Sequence, residues 1–517
     1  MGAIDYLIML ITNPNDLRTL LQFKLWYEPT RDITKPEEFA TSGYDRKAMK
    51  RCWEFLDMTS RSFSMVIKQL DGDLARVIAL FYLALRGLDT VEDDMTIPDE
   101  IKQPLLRSFH DKLVTPGWNY GGNGPLEKDR QLLVEFEVVV EEMLRLNPME
   151  REVIVDITKK MEVGMADFAH KAINAPDGAY IDTQEDFDLY CHYVAGLVGE
   201  GLSRLFVATH KEADFLADEL VLSNSMGLLL QKTNILRDIR EDIDDARFFW
   251  PKSVYTKHGF THPTQLRELN RRKDAMWVLS AMTLDALRHC EDALDYLTLL
   301  KTQSVFNFCA IPAVMAIATL SHCFMNSEVF DKNVKIRKAQ AVDIIMKSTN
   351  PRDVAYMFRD FTRELHAKAV PSDPYFVKIS IMCGKIEQWC EHHYPSFIAL
   401  RTTTGGSSNV SQRPIEDARM RIVNRTKELT DKKKLDAGEA PVIRAAAAGE
   451  EDKIPWQLFA FVSAGFILVT LLSLGIVLLI QKKTNRWRRV WNTRASDKNK
   501  LIESYIPNGE VDSEVIR

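Results

Sequence analysis

The chain lacks any close pair of cysteines. Its seven thiols (Cys52, Cys191, Cys290, Cys309, Cys323, Cys383 and Cys390) are odd in number and include no CxxC spacing. That argues against a disulfide scaffold or a zinc knuckle and fits reduced, mostly buried cysteines of a cytosol-facing protein. A basic surplus is missing too. With 67 Lys and Arg against 73 Asp and Glu, the formal net charge is −6, which argues against nucleic acid as a partner. Alternating strand patterns are scarce. The glycines of "GLVGEGLSRL" do not make a dinucleotide fingerprint, because Arg204 stands where the third glycine belongs and no strand precedes. The opening "MGAIDYLIMLITNP" has Asp5 inside its apolar run, no basic region before it and no small-residue cleavage site after it. It does not read as a secretory leader.

What remains is helical texture. Long segments rich in Leu, Ala, Met, Glu, Lys and Arg run from about residue 40, with prolines confined to breaks. They predict one all-α domain over residues 1–400. "DGD" (71–73) and "PDGAY" (176–180) mark turns, and "TPGWNYGGNGP" (115–125) reads as a glycine-rich surface loop. Composition then changes: 401–453 is Thr/Ser/Gly-rich and charged, a tether with a short helix expected at 414–435.

Two apolar runs have opposite readings. Trp456 to Ile480 is 25 residues without a charge. At about 1.5 Å per residue it spans roughly 37 Å, enough for a hydrocarbon core of ~30 Å. With tryptophans at its ends, 454–480 is expected to be a transmembrane anchor, and 481–517 a polar tail with a basic start. Residues 305–320 are shorter and contain Asn307 and Pro312; a buried helix is expected there.

The chemistry lies in carboxylates that recur. In "LRGLDTVEDDM", Asp89, Glu92 and Asp93 stand at i, i+3 and i+4, one face of a helix, with Tyr82 and Arg86 on the same stripe. In "LLLQKTNILRDIRED", Asp238, Glu241 and Asp242 repeat the spacing behind Gln231 and Asn234. One such cluster is an ordinary solvated helix end. Two matched clusters, each ending an apolar helix, predict six carboxylates across one cavity, where they repel unless cations intervene. Hard oxygen ligands at an open site suit Mg²⁺, which completes its shell with water and phosphate. Arginines at 61, 86 and 237 would meet a diphosphate. Arg240, two positions after Asp238, is expected to point away.

These stretches resemble the head-to-head prenyl synthases of the squalene synthase family. The resemblance rests on "TSRSF" (59–63), "FYLALRGLDTVEDDM" (81–95), "YCHYVAGLVG" (190–199), "NSMGLLLQKTNILRDIRED" (224–242), "QSVFNFCAIPAVMAIATL" (303–320) and "VKIRKAQA" (334–341). It implies an isoprenoid synthase fold with a central cavity. The implied activity condenses two farnesyl diphosphates to presqualene diphosphate, followed by reduction with NADPH to squalene. Asp89, Glu92, Asp93, Asp238 and Asp242 would hold Mg²⁺, and Ser60, Arg61, Phe63, Tyr82, Arg86, Gln231 and Asn234 the substrate. Tyr190 and Phe308 would manage proton and cation. Arg61, Arg86, Arg237, Lys335 and Arg337 would meet the cofactor's phosphates. Phe306, like Phe63 and Phe308, offers an aromatic face for a carbocation.

Two rivals stand beside this reading: a phytoene-synthase-type condensation without reduction, and a catalytically silent membrane-tethered scaffold. The expected location is the endoplasmic reticulum membrane with the enzyme facing the cytosol. The charge count disagrees, with three Lys and Arg in 434–453 against eight in 481–500. The absence of a translocation signal outweighs it, since charge bias orients a span only when both ends are free to cross.

Overall fold

The computed structural model describes residues 12–27, 31–60 and 62–396, together with residue 9. Arg61, the 401–453 tether, the 454–480 anchor and the 481–517 tail lie outside the described residues. Among the described residues the regular structure is helical; the one extended contact is a single bridge between Ala179 and Phe248.

The bundle is built, in chain order, from α1 (Pro14–Trp26), α2 (Lys47–Ser60), α3 (Ser62–Lys68), α4 (Leu74–Asp93), α5 (Pro148–Asn174), α6 (Gln184–Cys191) and α7 (Leu197–Ala208). It continues through α8 (Leu220–Arg237), α9 (Ile239–Asp244), α10 (Arg272–Leu287), α11 (Cys290–Leu299), α12 (Gln303–Cys323), α13 (Lys338–Lys347), α14 (Pro351–Ala367) and α15 (Phe376–His393). Local signals set several boundaries. Asn147 caps α5, accepting from the Met149 amide at 3.1 Å, with Pro148 at the first helical position. Thr183 and Asp186 form a reciprocal box that starts α6.

α8 is the hub, packed against α7, α10, α11 and α12. Its Lys232 is 1% exposed and ion-paired to Asp188 of α6 and, at 2.7 Å, to Asp285 of α10. A buried charge is tolerated only with such partners, so this cluster fixes α8 against α6 and α10. α12, the apolar run that could be mistaken for a second span, is a core helix: it packs on α8, α11 and α14, and most of its residues are buried. All seven cysteines are free and buried.

The 115–125 segment is an irregular, mostly exposed loop, as read from the sequence, and it is tied to the helices at particular points. Trp118 packs edge-on against Phe109 and Phe136. Asn123, 5% exposed, donates to Asp94 at 3.0 Å. The two turn glycines read from the sequence do adopt left-handed backbone, at φ +61 (Gly72) and +74 (Gly178).

Candidate functional site

α4 and α8 bring both acidic motifs to one opening. Below it, a cavity of about 340 Å³ is lined by apolar side chains including Phe63, Phe81, Leu85, Met226, Leu230 and Phe308. Above, a second compartment of about 310 Å³ is lined by Asp89, Glu92, Asp93, Asp238 and Asp242 with Arg86, Arg237 and Arg247. Arg86, Asp89, Val194, Gln231 and Asn234 line both. The site is therefore a charged mouth on an apolar shaft, joined at a collar of five residues.

The stripe read from α4 holds: Tyr82, Arg86 and Asp89 face the shaft, while Leu83, Leu88 and Val91 are fully buried behind them. Asp94, the next carboxylate along, lies off the stripe. As the residue ending α4, it accepts from the Thr96 amide (2.9 Å), the Gly124 amide (2.9 Å) and Asn123 (3.0 Å), which hold its carboxyl below the usual range despite burial. It is structural. The second motif is not one continuous helix, because α8 ends at Arg237 and Asp238 stands between α8 and α9. Asp238 and Asp242 still face the mouth, but Glu241 turns away to accept from Asn333. The expected six carboxylates are thus five.

The electrostatics show what the mouth requires. Asp242 is 5% exposed, and burial pushes its carboxyl to about 7. Asp89 shows 33% of its side chain, but to the cavity. Burial pushes it to about 6, with Arg86 opposing and Asp93 and Asp129 adding to the rise. Glu92 is driven well above its ordinary value by burial, then by Asp93 and Asp89. One cation bridges the two motifs: Arg247 reaches Asp93 at 3.0 Å and Asp242 at 3.1 Å. Burial opposes the charge of Arg247, but Asp93, Asp242 and Asp245 outweigh it. The sequence reading missed Arg247. Its only signal was a lone basic residue in "DIDDARFF" directly after the second motif.

No three His, Cys, Asp or Glu groups among the described residues converge tightly enough to cage an ion. The donor set still fits Mg²⁺, which takes one or two carboxylates and fills its shell with water and phosphate oxygens. A ready-made all-protein cage would fit it less well.

Tyr190, 4% exposed, lines the mouth, stacked on Phe249 at 5.2 Å and edge-on to Phe168 at 5.3 Å. Burial, then Glu92, lifts its phenol well above the ordinary value. Beyond α6 the chain widens into a π-helical turn, His192–Gly196, whose Val194 sits in the collar. The glycines here serve close packing. A Cβ on Gly199 would lie 2.2 Å from the Ser223 carbonyl oxygen, and one on Gly227 would lie 2.3 Å from that of Ala195. Backbones touch at this crossing of α7 and its π turn with α8, which accounts for Gly199, while Gly201 makes room for the Phe81 ring.

Other expected residues lie elsewhere. The Ser60 hydroxyl donates to the Leu56 carbonyl at 2.6 Å and lines neither compartment. Phe306, 4% exposed, packs in the core and lines neither compartment. Lys335 and Arg337 are exposed, and Arg337 pairs with Asp16 of α1 at 2.9 Å. The structure does not bring them to the mouth. Arg240 pairs with Asp244 at 2.8 Å and stays out, as expected. Arg237 lines the mouth against Asp238, Nε to Oδ1 2.7 Å.

The sequence profile of the squalene/phytoene synthase family matches residues 56–340, a span that contains every element of the mouth and shaft. A squalene synthase of Ganoderma lucidum is 55% identical over 449 residues, 84% of this chain and 95% of that protein. One from Schizosaccharomyces pombe is 50% identical over 383 residues, 74% and 81% respectively. The solved structure of TcSQS with the ligand E5700 is 38% identical with a TM-score of 0.64, and covers 67% of this chain and 98% of that one.

Proposed function

Because the chain belongs to the squalene synthase family of farnesyl-diphosphate farnesyltransferases, we propose that its mouth and shaft together join two farnesyl diphosphates head to head and reduce the product to squalene. The observation that carries this reading is the shared collar. A molecule with its diphosphate among carboxylates and arginines has its hydrocarbon chain in the shaft, and its reacting carbon falls between them.

When bound, Mg²⁺ supplies positive charge against the departing diphosphate and NADPH supplies hydride. Asp89, Glu92, Asp93, Asp238 and Asp242 are the residues that would hold the metal. Arg86, Arg237 and Arg247 are the phosphate partners within the mouth. Arg247 pairs with Asp93 and Asp242, two of the carboxylates that would hold the metal, and its guanidinium would be a phosphate partner beside them. The shaft's task is to exclude water from carbocations, which water would quench. Phe63 and Phe308, with ring centroids 5.3 Å apart, put aromatic faces on its wall. Burial keeps Tyr190 in its neutral phenol form, so it offers the mouth a hydroxyl and a ring face rather than a phenolate. The cofactor's phosphates would be met by the mouth arginines together with the exposed Lys335 and Arg337.

Incubation with farnesyl diphosphate and Mg²⁺, with and without NADPH, tests this. Squalene is expected only with NADPH, and presqualene diphosphate or rearranged alcohols without it. A dehydrogenated C30 hydrocarbon whatever the NADPH would favour the phytoene-type rival, and no product at all would favour a silent scaffold.

A further inference from the structure

A second cavity lies behind the shaft, unused by the reaction above. Its volume is about 260 Å³. Met65, Val66, Ile311 and Ile345 give it an apolar interior, and Asp71, Gln303, Ser304 and Thr349 give it a polar rim. Phe308 lines both this chamber and the shaft. The wall between them is one layer of side chains from two helices. On α3, Phe63 and Ile67 face the shaft while Met65 and Val66 face the chamber; on α12, Cys309 and Pro312 face the shaft while Asn307 and Ile311 face the chamber. The rim is held by polar contacts near the surface. Ser304 donates to Asp71 at 2.8 Å and Gln303 to the Thr349 carbonyl at 2.6 Å, all at exposed or half-buried positions.

We infer that this chamber is the exit for the apolar product, a long branched hydrocarbon that leaves past Phe308 and out between α3, α12 and α13. The inference rests on the proposed reaction. Once both diphosphates are gone, nothing tethers the product to the mouth. Passing out through five carboxylates and three arginines would also strip water from charges that a hydrocarbon cannot pair. The opposite wall offers apolar contact from Phe308 to Ile345, ending at a wettable rim.

The test uses the full chain in phosphatidylcholine vesicles with radiolabelled farnesyl diphosphate, Mg²⁺ and NADPH. It measures the hydrocarbon formed in the first turnover and, separately, its rate of transfer from enzyme to vesicle. Ile311→Trp fills the chamber; Thr349→Trp obstructs the rim from an exposed position and serves if the first variant fails to fold. Both are expected to form first-turnover product within about twofold of wild type while transferring it at least about fivefold more slowly, since only release is obstructed. Unchanged transfer in both variants would overturn the exit. So would first-turnover formation falling in step with transfer, which would make the chamber part of the reacting pocket. A wild type that forms no hydrocarbon overturns the proposed reaction and the exit together, so the two failures are distinguishable.

Discussion

Asp242 and Asp89 carry their charges reluctantly, and that reluctance is measurable. Their folded values, about 7 and about 6, stand above the ordinary 3.8 of an aspartate. Between those limits the folded chain holds more protons than the unfolded one, so these groups make stability fall as pH rises through that window. A divalent cation binds the ionised form and opposes the loss. The rise in melting temperature with Mg²⁺ is therefore expected to be larger near pH 8 than near pH 5.5, and Asp242→Asn should flatten that difference. An equal magnesium effect at both pH values in calorimetry would refute the assignment. Turnover is expected to drop by at least ~10²-fold in Asp89→Asn and in Asp238→Asn, each of which removes charge from where a diphosphate departs. Near-normal turnover of either at saturating Mg²⁺ would exclude that motif from metal binding. These carboxylates were legible because i, i+3, i+4 spacing encodes a helix face within a few residues. Arg247 was not, because its meaning comes from Asp93, 154 positions away. Lys335 and Arg337 are a basic cluster in sequence that stays exposed in the fold, Arg337 paired with Asp16 on α1, and neither lines the mouth.

At the scale of elements, the helices and their faces followed from periodicity, and the buried character of α12 followed from its length and its proline. Two features did not follow. The docking of the 115–125 segment depends on Asp94 turning back at the end of α4, and nothing local signals that contact. The glycines of α7 and α8 look alike in sequence whether they bind a phosphate or let two backbones touch. The crossing makes a sharp expectation. Gly227→Ala places a methyl against the Ala195 carbonyl oxygen and should cost about 1–3 kcal/mol, with activity falling as α8 shifts. Gly384→Ala on α15, where an added Cβ meets nothing within 4 Å, should be neutral or stabilising by about 0.5–1 kcal/mol, from helix propensity alone. Equal melting temperatures for the two variants would mean that the crossing is not tight.

For the whole molecule, we propose attachment to the endoplasmic reticulum with the enzyme in the cytosol, on the strength of the uncharged 456–480 run and the seven unpaired cysteines. Asn409 in "NVS" and Asn424 in "NRT" serve as reporters, since both precede that run and are glycosylation acceptors only in the lumen. In microsomes they should carry no glycan, and added protease should digest the enzyme; glycan on either would reverse the orientation. The cysteines carry a separate consequence. All seven are buried, and burial raises the thiols of Cys52, Cys290 and Cys309, for example, which keeps them from becoming nucleophilic thiolates. The native protein is therefore nearly silent to alkylating reagents, and each opening of the bundle is recorded as a covalent label. Cys309 is slowed by the same burial but differs in access, because it lines the shaft. A small uncharged reagent should mark it first, and a non-hydrolysable farnesyl diphosphate analogue should protect it. Occupancy of the shaft then becomes a mass shift on one peptide, read without a single turnover.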